Sequence, residues 1–219
     1  CFSDPNQGVA SADYIADNGL SSKVAIIYQS DNAYSAGIFD KFKSEASAKG
    51  IEIVSEQSFT KDNKTDFSAQ LQSIKDSGAD LMFLPIYYSE ASLILQQAKS
   101  SGLEIKYFGC DGLDGILNMN NFDISLAEGV MLLTPFAADA TDDATVHFVT
   151  EYRAKYGDET MNQFAADAYD AIYIIKAAAE KAGINADMSS SEICDALKKA
   201  MTEITVDGVT GTSITWAAD

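Results

Sequence analysis

The stretch Lys23-Val24-Ala25-Ile26-Ile27-Tyr28 decides the fold, because it is apolar at consecutive positions rather than at alternate ones. A strand that is apolar on both faces is typical of a parallel sheet with helices on both sides. Similar segments follow amphipathic helical stretches and predict further strands near residues 51–57, 80–85 and 104–109. We therefore expect an α/β fold with a doubly wound parallel sheet, built by right-handed crossovers, up to about Asp111.

Helix-ending signals separate these segments. Gly50, Gly78 and Gly102 each stand just before a predicted strand, where a glycine fits the left-handed residue that closes a helix. The helix before Gly78 has a Thr65-Asp66 pair as its predicted cap. Helices and strands therefore alternate throughout the first half of the chain.

In the second half of the chain, predicted helices and strands no longer alternate. Residues 112–127 predict loops and a short helix, and Val130 to Thr134 predicts a strand that ends at Pro135. Helices then follow at about 142–156, 162–182 and 190–201, the last with a Ser189–Glu192 capping box, before a final strand from Gly211 to Trp216. Three helices with so few strands predict part of a domain whose other part lies outside these residues.

Charge and composition exclude several classes of function. The 219 residues carry 15 basic and 33 acidic side chains, a net charge of −18, which argues against binding to nucleic acid or anionic membranes. The three cysteines, Cys1, Cys110 and Cys194, are too few and scattered for a zinc site, and the single His147 is expected on a solvated helix face. No glycine-rich phosphate loop or Ser/His/Asp set occurs, so we predict no metal, no cofactor and no catalytic residue.

Aromatic and acidic side chains follow the predicted strands. The strand tips read Tyr28-Gln29-Ser30-Asp31, Pro85-Ile86-Tyr87-Tyr88 and Gly109-Cys110-Asp111-Gly112. Ligands of open parallel sheets bind beyond the carboxyl ends of the strands, where the strand order reverses. A carboxylate beside aromatic rings there suits a small ligand with a cationic amine and an apolar body.

Each of these residues also has a purely structural interpretation. Asp111 before Gly112 fits an ordinary turn, and Tyr34 and Tyr87 fit helix or sheet packing. Phe164 fits a core position. Asp4 and Asn6 fit caps of a helix from Gly8 to Asn18.

An ordered series of motifs along essentially the whole chain resembles the branched-chain amino-acid-binding proteins of ABC transporters. The motifs are Phe2-Ser3-Asp4-Pro5-Asn6-Gln7-Gly8, Ala33-Tyr34-Ser35-Ala36-Gly37, Lys64-Thr65-Asp66-Phe67-Ser68, Tyr107-Phe108-Gly109-Cys110-Asp111-Gly112 and Phe164-Ala165-Ala166-Asp167-Ala168-Tyr169-Asp170-Ala171. That family has the type I periplasmic binding fold, in which two α/β lobes joined by three crossing strands close on the ligand like a hinge.

The resemblance implies a division of the chain. Residues 1–128 match the second lobe, 129–208 a crossing strand and the helical remainder of the first lobe, and 209–219 the last crossing strand. The opening part of the first lobe is not among these residues. This implies a fragment of a longer protein.

Ligand-contacting roles also follow from the resemblance. It implies that Tyr34 and Tyr87 are ligand walls, that Asp111 meets the ligand ammonium, and that Phe164 flanks the ligand from the first lobe. The family often has Glu at the Asp111 position and a small residue or Pro at Cys110. A disulfide between Cys1 and Cys110 is a further hypothesis.

The implied function is an extracytoplasmic bacterial binding protein, without enzyme activity, that captures a small aliphatic amino acid for the permease of an ABC importer. The membrane would be met only through a lipid anchor on the full-length protein. Cys1 fits a lipidated residue, although no flexible Ser/Gly tether follows it. A ligand-sensing domain of a receptor with the same fold is the alternative. An α/β enzyme acting on a small polar substrate has the least support, because the usual catalytic residues are missing.

Overall fold

The apolar stretch from Lys23 to Tyr28 lies in an interior strand of a five-stranded parallel sheet. A computed structural model describes residues 3–157 and 161–218. The sheet has the order β2-β1-β3-β4-β5. All four pairings between neighbouring strands are parallel. The strands are β1 (Lys23–Gln29), β2 (Glu52–Phe59), β3 (Leu81–Leu84), β4 (Lys106–Gly109) and β5 (Met131–Leu132).

Helices cover both faces of this sheet, which confirms the predicted doubly wound α/β class. Val24 and Ile26 of β1 belong to one hydrophobic core, whereas Ala25 and Ile27 belong to the other, and all four are completely buried. Burial of both faces explains why β1 is apolar at each position from Val24 to Ile27. The helices are α1 (Asp4–Asp17), α2 (Ala33–Ala48), α3 (Ser68–Ser77), α4 (Tyr88–Ser100), α5 (Asp143–Tyr156), α6 (Gln163–Ala182) and α7 (Ser190–Met201).

Most boundaries agree with the sequence within a few residues. The predicted glycines Gly50, Gly78 and Gly102 all have positive φ, between 67° and 75°. The Ser189–Glu192 capping box is present at the start of α7. Where a single short helix was predicted within residues 112–127, the chain forms three short 3₁₀ helices between residues 111 and 127.

Three predictions about element ends are wrong. Helix α1 begins at Asp4 rather than Gly8, so Asp4 and Asn6 lie inside the helix and do not cap it. Pro5 explains the earlier start, because a proline in the first turn removes an N–H that has no helical partner. The Thr65-Asp66 pair does not occupy the N-cap position of α3, which is taken by Phe67. The Asp66 carboxylate still accepts the Ser68 N–H at 2.9 Å.

The third error is the final strand. From Gly211 to Trp216 the described chain forms only an isolated antiparallel bridge between Val206 and Ile214. The reason is a buried carboxylate. Asp170 of α6 accepts hydrogen bonds from the Val209 N–H, the Thr210 N–H and the Thr210 hydroxyl, at 3.0, 2.8 and 2.6 Å. These bonds hold a bend at Val209 and Thr210, directly before the residues that were predicted as a strand.

The chain divides into two compact units, Phe2–Thr134 and Pro135–Asp219. The first contains the sheet. The second contains α5, α6 and α7 around a small core of Phe136, Phe148, Val149 and Ala166. The three-part division inferred from the resemblance stays a prediction.

Helix α6 is apolar around most of its circumference. Its exposed side chains include Ile172 and Ile175, which are 66% and 52% accessible. Clefts of about 400 Å³ and 460 Å³ lie along this helix. Among residues 3–157 and 161–218, no helix is both long enough and apolar enough to cross a membrane.

The Asp170 turn can be tested by an isosteric substitution in the full-length protein. Asp170→Asn replaces one acceptor oxygen by an NH₂ group, so at least one buried donor of the turn loses its partner. We expect a loss of about 2 kcal/mol in the free energy of unfolding, measured by urea denaturation. Asp195→Asn on the exposed surface of α7 is the control, and equal effects of the two changes would contradict the role of Asp170.

Candidate ligand-binding site at the strand tips

The order of the sheet reverses between β1 and β3. The chain passes from β1 to β2 on one side, and then from β2 to β3 on the other side of β1. Such a reversal opens a crevice at the carboxyl ends of the two strands, because the connecting helices diverge to opposite faces. The residues that follow β1 and β3 therefore form the rim of this crevice.

Three of the predicted site residues meet at this rim. Tyr34 is the second residue of α2, whose start is fixed by the Asn32 side chain accepting the Ser35 N–H at 3.2 Å. Tyr87 is the N-cap residue of α4, three residues after β3. Asp111 opens a 3₁₀ turn two residues after β4. The parallel strands bring these distant parts of the chain to one edge.

The Tyr34 hydroxyl links this group together. It donates a hydrogen bond to Asp111 Oδ1 at 2.6 Å and accepts one from the Gly112 N–H at 2.9 Å. The Tyr34 ring stacks on the ring of Tyr87, with centroids 4.8 Å apart and planes 20° apart. One side chain thus fixes the carboxylate, the turn behind it and the neighbouring aromatic wall.

Gly112 is required by this close approach. A Cβ atom at this position would lie 2.7 Å from the Tyr34 hydroxyl oxygen and 2.7 Å from the carbonyl oxygen of Ile86. Both distances are far below van der Waals contact, and the Ile86 oxygen is part of the backbone. The glycine therefore permits the hydroxyl to reach the turn.

Both tyrosines stay protonated near neutral pH. Burial raises the pKa of Tyr34 far above its usual range, and the neighbouring Cys110 and Asp111 raise it further. Burial also raises the pKa of Tyr87, with smaller contributions from the charges of Asp111 and Asp4. A protonated phenol can donate a hydrogen bond, so the rim presents neutral donors beside an acidic side chain.

Asp4 is a second carboxylate at the site, and the sequence interpretation had treated it as a possible helix cap. Burial raises the pKa of Asp4, and the negative charge of Asp111 raises it further. Because its folded pKa lies above the unfolded value, Asp4 makes the free energy of unfolding fall as the pH rises through the interval between the two values. A bound cation would relieve this repulsion.

Helix α1 sends a row of polar side chains toward the end of β4. Gln7 Oε1 accepts the Asp111 main-chain N–H at 3.0 Å, and Ser11 Oγ lies 3.6 Å from Cys110 Sγ. Gln7 and Ser11 are completely buried. Asp4, Gln7 and Ser11 follow the i, i+3, i+7 spacing of one helical face, which is the signal that could have identified them in the sequence.

An ion pair between a buried glutamate and an exposed lysine fixes the first turn of α4, next to Tyr87. Glu90 is 5% exposed, and Lys64 Nζ lies 2.7 Å from its Oε1 atom. The Ser89 hydroxyl donates to the other oxygen at 2.5 Å. These partners outweigh burial and keep the pKa of Glu90 below its usual value. The Glu90 carboxylate therefore stabilises the first turn of α4 and is not proposed as a ligand-binding group.

The remaining site predictions fall elsewhere. Phe164 lies in the second unit, near the start of α6, and is 40% exposed. Its proposed ligand contact stays a prediction. Cys110 is a buried free thiol whose pKa is raised chiefly by burial, and Cys1 lies outside the described residues. Within the part of the chain that the structure describes, no group of three or more His, Cys, Asp or Glu side chains could hold a metal ion.

Among the described residues, the two clefts beside α6 lack a carboxylate and aromatic rings arranged like those at the strand tips. Asp170 lines both, but its carboxylate is occupied by the turn at Val209 and Thr210. Lys176 and Glu180 in the first cleft pair with each other at 2.6 Å. The carboxylate and tyrosines at the strand tips therefore remain the better candidate for ligand recognition.

Comparisons with known proteins identify the family of the chain. A family model described as periplasmic binding protein matches residues 2–219. The Leu/Ile/Val-binding protein homolog 3 of Brucella melitensis is 31% identical over 191 residues, which cover 87% of this chain and 50% of the relative. The chain thus spans about half the length of the curated relatives it matches.

Two solved structures are similar over nearly the whole chain. The branched-chain amino acid transporter substrate-binding protein LivJ from Streptococcus pneumoniae, in complex with isoleucine, is 27% identical with a TM-score of 0.77, covering 96% of this chain and 57% of LivJ. A solute-binding protein of an ABC transporter from Rhodopseudomonas palustris, in complex with 3,4-dihydroxybenzoic acid, has the same identity and TM-score, covering 95% of this chain and 55% of the other.

The chain belongs to the periplasmic binding protein family, and its similarity to the branched-chain amino-acid type is confirmed. Members of this family are binding proteins, and their name places them outside the cytoplasm.

The bridging role of Tyr34 leads to a stability prediction. In the full-length protein, Tyr34→Phe leaves Asp111 Oδ1 without the Tyr34 hydrogen bond and the Gly112 N–H without its acceptor. We expect the free energy of unfolding to fall by about 1–3 kcal/mol, measured by urea denaturation. Tyr28→Phe is the matched control, since the Tyr28 ring also stacks, on Phe39 at 4.0 Å. A similar loss in both variants would contradict the bridge.

The proximity of the two carboxylates leads to a prediction about titration. If the charge of Asp111 raises the pKa of Asp4, then Asp111→Asn must lower the pKa of Asp4. The pKa can be measured in the ligand-free, full-length protein from the pH dependence of the Asp4 carboxyl ¹³C shift. Asp40→Asn, an exposed change on α2, should leave that pKa unchanged, and an unchanged value in Asp111→Asn would show that the two groups do not interact.

Proposed function

We propose that the full-length protein captures a small aliphatic amino acid and delivers it to the permease of an ABC importer. The observation that carries this proposal is the Asp111 carboxylate, held by the Tyr34 hydroxyl at 2.6 Å beside a stacked tyrosine wall at the switch point of the sheet. A carboxylate pairs with an ammonium group, and aromatic rings provide apolar contact and cation–π attraction. An amino acid offers both an ammonium group and an apolar side chain.

Asp111 is the proposed ammonium ligand, and Tyr34 and Tyr87 are the proposed walls of the site. Asp4 adds a second negative charge, which increases the attraction for a cation. Phe164 is the proposed aromatic contact from the other lobe. Hinge closure of the two lobes would then remove the ligand from water and strengthen each polar contact.

The names of similar proteins support this ligand class. The Brucella melitensis relative is named for leucine, isoleucine and valine, and the Streptococcus pneumoniae LivJ structure contains isoleucine. The Rhodopseudomonas palustris structure contains an aromatic acid, which has no ammonium group. The carboxylates of Asp4 and Asp111 would repel such an anion, so the site favours an amino acid over an aromatic acid.

The remaining parts of the proposal concern the whole protein. It acts without catalysis or cofactor, outside the cytoplasm of a bacterium, and meets the membrane through its permease and a lipid anchor. The abundant negative charge of this chain, −18, is consistent with a role that involves neither nucleic acid nor a direct contact with anionic lipid.

Calorimetry on the full-length protein tests the ligand class. Leucine, isoleucine, valine, alanine and 3,4-dihydroxybenzoic acid are each titrated separately. We expect at least one aliphatic amino acid to bind, and Asp111→Ala to weaken it by roughly 30-fold or more, which corresponds to about 2 kcal/mol. Binding of the aromatic acid alone, or full affinity in Asp111→Ala, would refute the proposal.

The surface variant Asp40→Ala is the control for that titration. It removes one carboxylate of this acidic chain from the outside of α2, where no ligand contact is proposed. If it weakened binding as much as Asp111→Ala does, the effect would reflect overall charge rather than a direct contact at the strand tips.

A further inference from the structure

The turn that carries Asp111 begins where the sheet no longer provides hydrogen bonds. Strand β4 ends at Gly109, and the Asp111 main-chain N–H donates to a side chain rather than to a neighbouring strand. Asp111 is only 7% exposed, so water does not readily replace a missing partner. A buried N–H without an acceptor costs about 1–3 kcal/mol, and the turn therefore needs an acceptor from another element.

Gln7 provides that acceptor from α1, 104 residues earlier in the chain. Its Oε1 atom lies 3.0 Å from the Asp111 nitrogen. Because the Asp111 N–H is a donor, it fixes which end of the amide faces the turn. Gln7 is completely buried, which is costly for an amide, and its bond to the Asp111 N–H offsets part of that cost. Its Nε2 atom makes no hydrogen bond within the described residues.

Two side chains from two helices thus hold the same turn. Tyr34 of α2 binds the Asp111 carboxylate and the Gly112 N–H, whereas Gln7 of α1 binds the Asp111 N–H. The peptide between Cys110 and Asp111 is also held by its carbonyl oxygen, which accepts the Leu113 N–H at 3.0 Å. Without Gln7 it would be fixed through that oxygen alone and could tilt toward another acceptor. The Asp111 side chain would move with it, because its Cα atom belongs to that peptide.

We propose that Gln7 is the positioning residue of the ligand site, which sets affinity for the ligand ammonium by fixing the backbone of Asp111. Gln7 has no exposed surface with which to touch the ligand, so it acts only through Asp111. This inference rests on the proposed function, in which Asp111 receives the ammonium group of an amino acid.

The test is a double-mutant cycle on the full-length protein, with leucine as the ligand and calorimetry as the measurement. Gln7→Met keeps the length of the side chain and removes the acceptor. We expect it to weaken leucine binding by about tenfold in the wild-type background. In the Asp111→Asn background it should change affinity by less than about twofold, because the carboxylate it positions is already gone.

Ser11→Ala is the matched control. Ser11 is equally buried, lies one turn further along α1 and contacts Cys110 rather than Asp111. It should leave leucine affinity within about twofold of wild type. Equal losses in Gln7→Met and Ser11→Ala would identify a general packing effect of α1 and would overturn the inference.

The other outcomes separate this inference from the proposed function. Full affinity in Gln7→Met, or the same loss in both backgrounds, refutes the positioning role while leaving amino-acid binding in place. Full affinity in Asp111→Asn refutes the ammonium site itself, and the positioning role fails with it.

A measurement on the unmodified protein covers the case in which Gln7→Met does not fold. Amide hydrogen exchange, followed by NMR, reports whether the Asp111 N–H is bonded. We expect this amide to be protected in the ligand-free protein, to a degree similar to the amides of β4. Exchange at the rate of an open loop would show that Gln7 does not hold the turn.

Discussion

The hydroxyl group of Tyr34 connects the sheet to its candidate site. A parallel sheet leaves the ends of its strands without partners, and each connecting loop must find hydrogen bonds elsewhere. Here one hydroxyl donates to the side chain of Asp111 and accepts from the next backbone amide, while its ring packs on Tyr87. The tips of β1, β3 and β4 are held as one surface because a single residue contacts the other two tips.

The same constraint explains why α1 matters to the site beyond the carboxylate of Asp4. Gly8 allows α1 to approach the backbone of α2 closely, at a distance where any Cβ atom would collide with the Ile38 carbonyl oxygen and the Phe42 nitrogen. This approach brings Gln7 within reach of Asp111. Packing between two helices and hydrogen bonding at a strand tip are therefore parts of one arrangement. A change in either would alter where the carboxylate sits.

Local patterns predicted the sheet well because the signal for each strand and helix lies within that element or directly beside it in the sequence. The apolar run in the middle of β1 and the glycines after α2, α3 and α4 required no knowledge of distant contacts. The turn at Val209 and Thr210 did require it, since Asp170 lies about 40 residues away. Gln7 was missed for the same reason. Its spacing with Asp4 and Ser11 marks a polar face of α1, but nothing local identifies the partner of that face, which lies 104 residues further along the chain.

Gly112 and Tyr34 have a consequence for how this site can change during evolution. The two residues are mutually dependent, because a larger residue at position 112 collides with the hydroxyl that the turn needs. Single substitutions at either position are thus disfavoured, whereas Tyr87 is 38% exposed and makes no side-chain hydrogen bond to its own helix. Natural variation in ligand preference should therefore accumulate first on the Tyr87 side of the crevice. On the other side of the crevice, Tyr34 and Gly112 would change only by simultaneous replacement of both residues.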